Sequence, residues 1–157
     1  MKYIWLLLCL LLHSQVFAEV VSVAKVDSES LQPSLPTAPG YLARINNSSP
    51  DSLRSALERA EMLFMEGRLR SELPPASFVL HGPEVAVFFR ENYSSNKNLI
   101  DLAARLSAFG VVDIQICETR TGVLGRDRSA LLPFVGTVPF GPAEEQRLID
   151  KEKYVYF

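Results

Sequence analysis

The 157-residue chain carries only two cysteines, Cys9 and Cys117, and two histidines, His13 and His81, and that scarcity excludes a good deal of chemistry. No CxxC pair, HExxH helix or EF-hand spacing occurs, so a structural zinc, a zinc hydrolase site and a calcium loop are all disfavoured and no metal is expected. No Walker-type or GxGxxG loop is present, and no other cofactor box is visible, so no bound cofactor is expected. The 16 basic residues against 18 acidic ones form no tract, which disfavours a nucleic-acid partner. No apolar run approaches the ~20 residues that a spanning helix needs.

What is present begins at the N-terminus. Lys2, the apolar run from Ile4 to Leu12, a short polar stretch and Val16-Phe17-Ala18 together read as a secretory signal cleaved after Ala18. Cys9 lies inside that run without the small-residue box that precedes a lipidated cysteine. The mature chain is therefore expected to start at Glu19, in the periplasm, with no membrane contact after cleavage. Losing Lys2 lowers the basic count from 16 to 15 and moves the net charge from −2 to −3. Cys117 and His81 become the sole thiol and the sole imidazole, so no internal disulfide can form and stability must come from packing.

Residues 19–40 hold three prolines and several serines with little apolar periodicity, and read as a flexible lead-in to a domain spanning 41–157. YLARIN (41–46) is a short strand. Ser49 then caps a helix that starts at Pro50, with Leu53, Ala56, Leu57, Ala60, Leu63 and Phe64 on one face and Gly67 past its end. SFVLHG (77–82) is a second strand, followed by a helix from Pro83 carrying Val85, Val87, Phe88 and Phe89. After the polar break NYSSNKN comes a helix with Leu99, Leu102, Ala103, Leu106 and Phe109, closed by Gly110. VVDIQIC (111–117) is the third strand, TRTGVLGRDRS a short glycine-interrupted helix or loop, and LLPFVGTVPF (131–140) the fourth. A helix from Gly141 and a terminal strand YVYF (154–157) complete the series. Strands alternating with helices imply an α/β fold with a mainly parallel sheet of about five strands, covered on both faces.

In such a sheet, ligand sites lie outside the carboxyl ends of the strands. Asn46 and Asn47 end strand one, His81 ends strand two and Cys117 ends strand three, so the thiol and the imidazole can share one rim if their strands are neighbours. A helix N-terminus after Cys117 favours the thiolate and Glu118 opposes it. Packing offers a competing role for Cys117, since free cysteine is among the most buried residue types. Tyr93 could overhang the rim from the polar break. Arg120, Arg126 and Arg128 form either an anion pocket or a solvated charged loop.

Four features in order resemble the DsrE/DsrF-like family of small sulfur-relay proteins, the group that includes YchN and the TusBCD subunits. They are the first strand with its long amphipathic helix, His81-Gly82-Pro83 at a strand end, VVDIQIC ending in Cys117, and the close GPAEEQRLIDKEKYVYF. The resemblance covers roughly Tyr41 to Phe157. It implies a flavodoxin-like three-layer sandwich, assembly into trimers or hexamers, and a cysteine at the position of Cys117 that carries sulfur as a persulfide.

Two functions follow as expectations. One is an exported sulfur carrier or sulfurtransferase-like subunit, with Cys117 and His81 as its chemistry, Asn46, Asn47, Tyr93 and Arg120 as ligand contacts, and a sulfur donor or acceptor protein as partner. The other is a non-enzymatic homo-oligomeric module of the same fold that binds a small anion or a partner and keeps Cys117 for packing. The aromatics Phe88, Phe89, Phe134 and Phe140 with the tail Tyr154, Tyr156 and Phe157 exceed what one small core is expected to absorb. A subunit interface at Phe88-Phe89 or at the tail is therefore expected.

Overall fold

The computed structural model describes residues 35–69 and 73–157; the expected signal segment 1–18 and residues 19–34 of the expected lead-in lie outside them. Residues 35–40, also assigned to the lead-in from sequence, pack against the domain: Ala38 is buried and the Tyr41 hydroxyl donates to the Pro36 carbonyl at 2.9 Å. Five strands follow, β1 (Tyr41–Leu42), β2 (Ala76–Leu80), β3 (Val112–Cys117), β4 (Gly136–Val138) and β5 (Val155–Tyr156). They form one sheet in the order β4-β3-β2-β1-β5, and every pair is parallel. Among the described residues the α-helices are α1 (Pro50–Met65), α2 (Lys97–Ala108), α3 (Glu118–Val123) and α4 (Gly141–Asp150). None of the described helices is long and apolar enough to cross a membrane.

Alternation along the strands divides the core between two faces. Phe78 and Leu80 of β2 and Ile114 and Ile116 of β3 point to the side covered by α1 and α2, where Leu53, Leu57, Ala60, Leu63, Leu99 and Leu106 join them. Burying each such leucine contributes about 1.5–3 kcal/mol. Leu42 and Val79 point the other way and meet Leu148 of α4, with Val138, Ile149, Tyr154 and Tyr156 at the margin. The architecture is an α/β flavodoxin-like three-layer sandwich with one thick core and one thin one.

Local signals explain the helix ends. The Ser49 hydroxyl accepts from the Ser52 amide at 3.1 Å, which satisfies an otherwise unpaired donor at the start of α1. Gly67 and Gly110, at φ 69° and 67°, provide the left-handed residue after α1 and α2.

Several elements differ from expectation. The segment from Pro83 is a run of 3₁₀ turns, Pro83–Phe88, Arg90–Asn92 and Ser94–Asn96, and not an α-helix. Its buried residues Val85 and Phe88 stand three apart, the spacing that a 3₁₀ turn puts on one face. Phe88 and Phe89 are buried within the chain, with Phe88 edge-on to Phe134 at 6.1 Å, so this segment offers no exposed interface. Strands one and four are shorter than expected; Pro133 and Phe134 leave only Gly136–Val138 in the sheet, and Leu131 makes a separate antiparallel bridge to Phe89. Phe109, which the sequence assigns either to the core or to a subunit contact, is 72% exposed, because it lies past the last turn of α2, so it takes no part in the core.

Candidate functional site

The adjacency of β2 and β3 brings the thiol and the imidazole together. Their register pairs Leu80 with Ile116, so His81 and Cys117 stand side by side at the carboxyl ends of neighbouring strands. Both project to the face crossed by α4. A Cβ on Gly141 would lie 2.6 Å from the His81 Cβ and 3.3 Å from the Cys117 Cβ, so the first residue of α4 rests directly between the two side chains. Gly141 opens this ten-residue helix, so the helix N-terminus lies at the ends of the two strands.

Cys117 is 2% exposed. Thr119 holds the chain leading into α4 over it: the Thr119 amide and hydroxyl both donate to the Pro139 carbonyl, at 3.2 and 2.8 Å. The Thr121 hydroxyl donates to the Cys117 carbonyl at 3.0 Å and fixes the turn that carries the cysteine into α3. Glu118, which sequence places as an opposing charge, is turned away; it accepts from the Thr137 hydroxyl at 2.6 Å and lies 3.9 Å from Arg128. His81 is more accessible. Its Nε2 lies 3.4 Å from a Glu145 carboxylate oxygen, with the two side chains 37% and 24% exposed. Partial burial raises the Tyr156 hydroxyl above its ordinary pKa, and the nearby Glu145 carboxylate adds to the rise.

Glu84 is a component that sequence reasoning missed. It is 2% exposed, and its Oε1 accepts from the His81 amide at 3.1 Å and the Gly82 amide at 2.9 Å, which fixes the main chain where β2 ends. Its other oxygen is buried without a hydrogen-bond partner. Gly82 is required at this point, since a Cβ there would lie 2.4 Å from both the Glu84 Oε2 and the Ser48 Cβ. Glu84→Ala is expected to lower stability by about 1–3 kcal/mol, because two main-chain donors lose their acceptor, whereas Glu84→Gln retains one and should lose less. Urea denaturation measures both; an unchanged midpoint in the alanine variant would contradict this role. The sequence signal was Glu84 two residues beyond Gly82, a spacing that suits a side chain folding back onto the turn.

The remaining expected contacts are dispersed. Asn46 and Asn47 lie in a 3₁₀ turn after β1, with Asn47 at φ 58° and Ser48 at φ 43°. Tyr93 is held at the start of α2, its hydroxyl donating to Asp101 at 2.9 Å with Lys97 over its ring. Arg120 is half-buried in α3 with its Nε lacking an acceptor. Arg126 is committed to Glu91, with donor distances of 3.2 and 2.7 Å, so the three arginines do not converge as a pocket. Among the described residues, no group of three or more His, Cys, Asp or Glu side chains is arranged to hold a metal ion.

No family model matches the chain and no curated protein matches it. A solved structure similar to it is that of MTH1491 from Methanobacterium thermoautotrophicum, a protein of unknown function. The two are 21% identical, the match covers 74% of this chain and 93% of that one, and the TM-score is 0.49. That likeness carries no argument about chemistry.

Proposed function

We propose that the chain is an exported DsrE/DsrF-like sulfur carrier in which Cys117 takes up and passes on a sulfur atom. The observation that carries this reading is the meeting of Cys117 and His81 beneath the N-terminus of α4. In the step that loads it, the Cys117 thiolate attacks the outer sulfur of a donor persulfide, R–S–SH. A bond forms between that sulfur and Cys117, the donor S–S bond breaks, and the donor leaves as R–S⁻ with no net oxidation or reduction. His81 takes the thiol proton, and Glu145 stabilises the imidazolium that results. Because Cys117 is buried, loading requires the Pro139–Gly141 segment to lift. Reaction of the folded protein with a small alkylating agent tests this. Cys117 should label without denaturant, more slowly than a free thiol, and Cys117→Ser should fold yet carry no sulfur. Labelling that needs denaturant would overturn the carrier reading.

The 2% exposure of Cys117 favours a second reading, a non-enzymatic homo-oligomeric binding module in which the cysteine only packs. Assembly into a trimer or hexamer belongs to both readings and is tested by light scattering on the purified protein; a monomer mass at high concentration would rule it out. Export is tested by cell fractionation with N-terminal sequencing, which should find a periplasmic chain beginning at Glu19.

A further inference from the structure

A cavity of about 400 Å³ opens at the carboxyl end of β1, beside α1 and the segment after β5. β1 and β5 are the one pair of sheet neighbours that are not consecutive in the chain, so the strand order reverses there. Crevices beyond the carboxyl ends of parallel strands at such a reversal are where ligands sit. The volume lies within the roughly 300–1,000 Å³ of small-molecule sites.

Its lining is rich in unused donors. Arg44, two residues past β1, and Arg59, on α1, both face it. Neither forms an ion pair with a carboxylate among the described residues. The Arg44 guanidinium carbon lies 4.4 Å from the Tyr156 ring centroid, a contact that orients the fork without neutralising its charge. Ser52 and Ser55 line the same space. The Ser52 oxygen accepts from the Ser49 hydroxyl at 3.0 Å, which leaves the Ser52 proton free to be donated to a ligand. Asn46 adds a side-chain amide, and Asp51 is the sole acidic side chain among the lining residues, against two guanidinium groups. Ala56 and Phe157 supply the apolar wall, with the Phe157 ring held edge-on to Phe78 at 6.2 Å.

We propose that this cavity binds a small oxyanion, a carboxylate, sulfate or phosphate group either free or at the head of a compact organic molecule. Arg44 and Arg59 grip the anion, while Ser52, Ser55 and Asn46 donate to its remaining oxygens. The site stands apart from Cys117 and holds whether or not that residue carries sulfur.

Calorimetric titration of the full chain with sulfate, phosphate and citrate at low ionic strength tests it. At least one of the three probes should bind saturably at one site per chain. Arg44→Met with Arg59→Met should weaken that binding at least tenfold, Asp51→Asn should tighten it severalfold by removing a like charge, and Cys117→Ser should leave it unchanged. Circular dichroism establishes that each variant is folded, and the Asp51→Asn gain cannot come from unfolding. Failure of all three probes to bind, or full affinity in the arginine double variant, would overturn the proposal. An Asp51→Asn variant that binds no tighter would also count against it.

Discussion

Replacing Gly141 with valine should destabilise the protein by about 1–3 kcal/mol or more, and lower its melting temperature by several degrees. The contacts that dictate this are unusual in having no flexible end. A Cβ at position 141 would meet the Cβ atoms of His81 and Cys117, which are anchored to two hydrogen-bonded neighbouring strands and cannot swing aside. Alanine should already show most of the effect. Because the nearest clash, at 2.6 Å, is with the His81 Cβ, removing that atom should relieve it. His81→Gly combined with Gly141→Ala should therefore be less destabilised than the sum of the two single changes. Thermal unfolding of the parent and the four variants decides this; a Gly141→Val protein as stable as the parent would mean that α4 does not begin between the two strand ends.

Phe78→Ala should cost about 3–5 kcal/mol, among the largest losses expected from a single core truncation here. Phe78 is fully buried at the centre of β2 and edge-on to Phe157, so its removal opens a void that the paired strands on either side cannot close. Phe109→Ser gives the contrast. That ring is 72% exposed, so the change should stay within about 0.5 kcal/mol. Denaturant midpoints of the two variants should differ widely; similar losses would contradict the assignment of the core to the face under α1 and α2.

The elements that were legible in the sequence are those in which periodicity and punctuation agree. Leu53, Leu57, Ala60 and Leu63 recur at helical spacing behind a Ser-Pro start, and α1 follows that pattern. The run 111–117 follows Gly110 and alternates apolar residues with Asp113 and Gln115, and β3 occupies Val112–Cys117 of it. The segment from Pro83 misled because Val85, Phe88 and Phe89 stand at i, i+3 and i+4, the spacing of a helix face, whereas the chain met that pattern with 3₁₀ turns and a bridge at Phe89. The candidate site was legible only in part. That His81 and Cys117 end strands could be read directly, but their adjacency depends on β2 and β3 being neighbours, which is a property of strand order. Glu84 and Gly141 act through fits of a few ångströms to main chain and Cβ atoms, and no spacing rule encodes those. The Arg44 and Arg59 cavity arises from residues fifteen positions apart in sequence, closed by the chain after β5.

The sulfur-carrier reading is tested most directly by the intact mass of the folded protein after incubation with a small-molecule persulfide and removal of the excess. The account predicts one added sulfur atom per chain, located on Cys117 by peptide mapping, released by a reducing thiol and absent in Cys117→Ser. A folded protein that stays at its original mass, while the unfolded chain reacts with the same reagent, would contradict it.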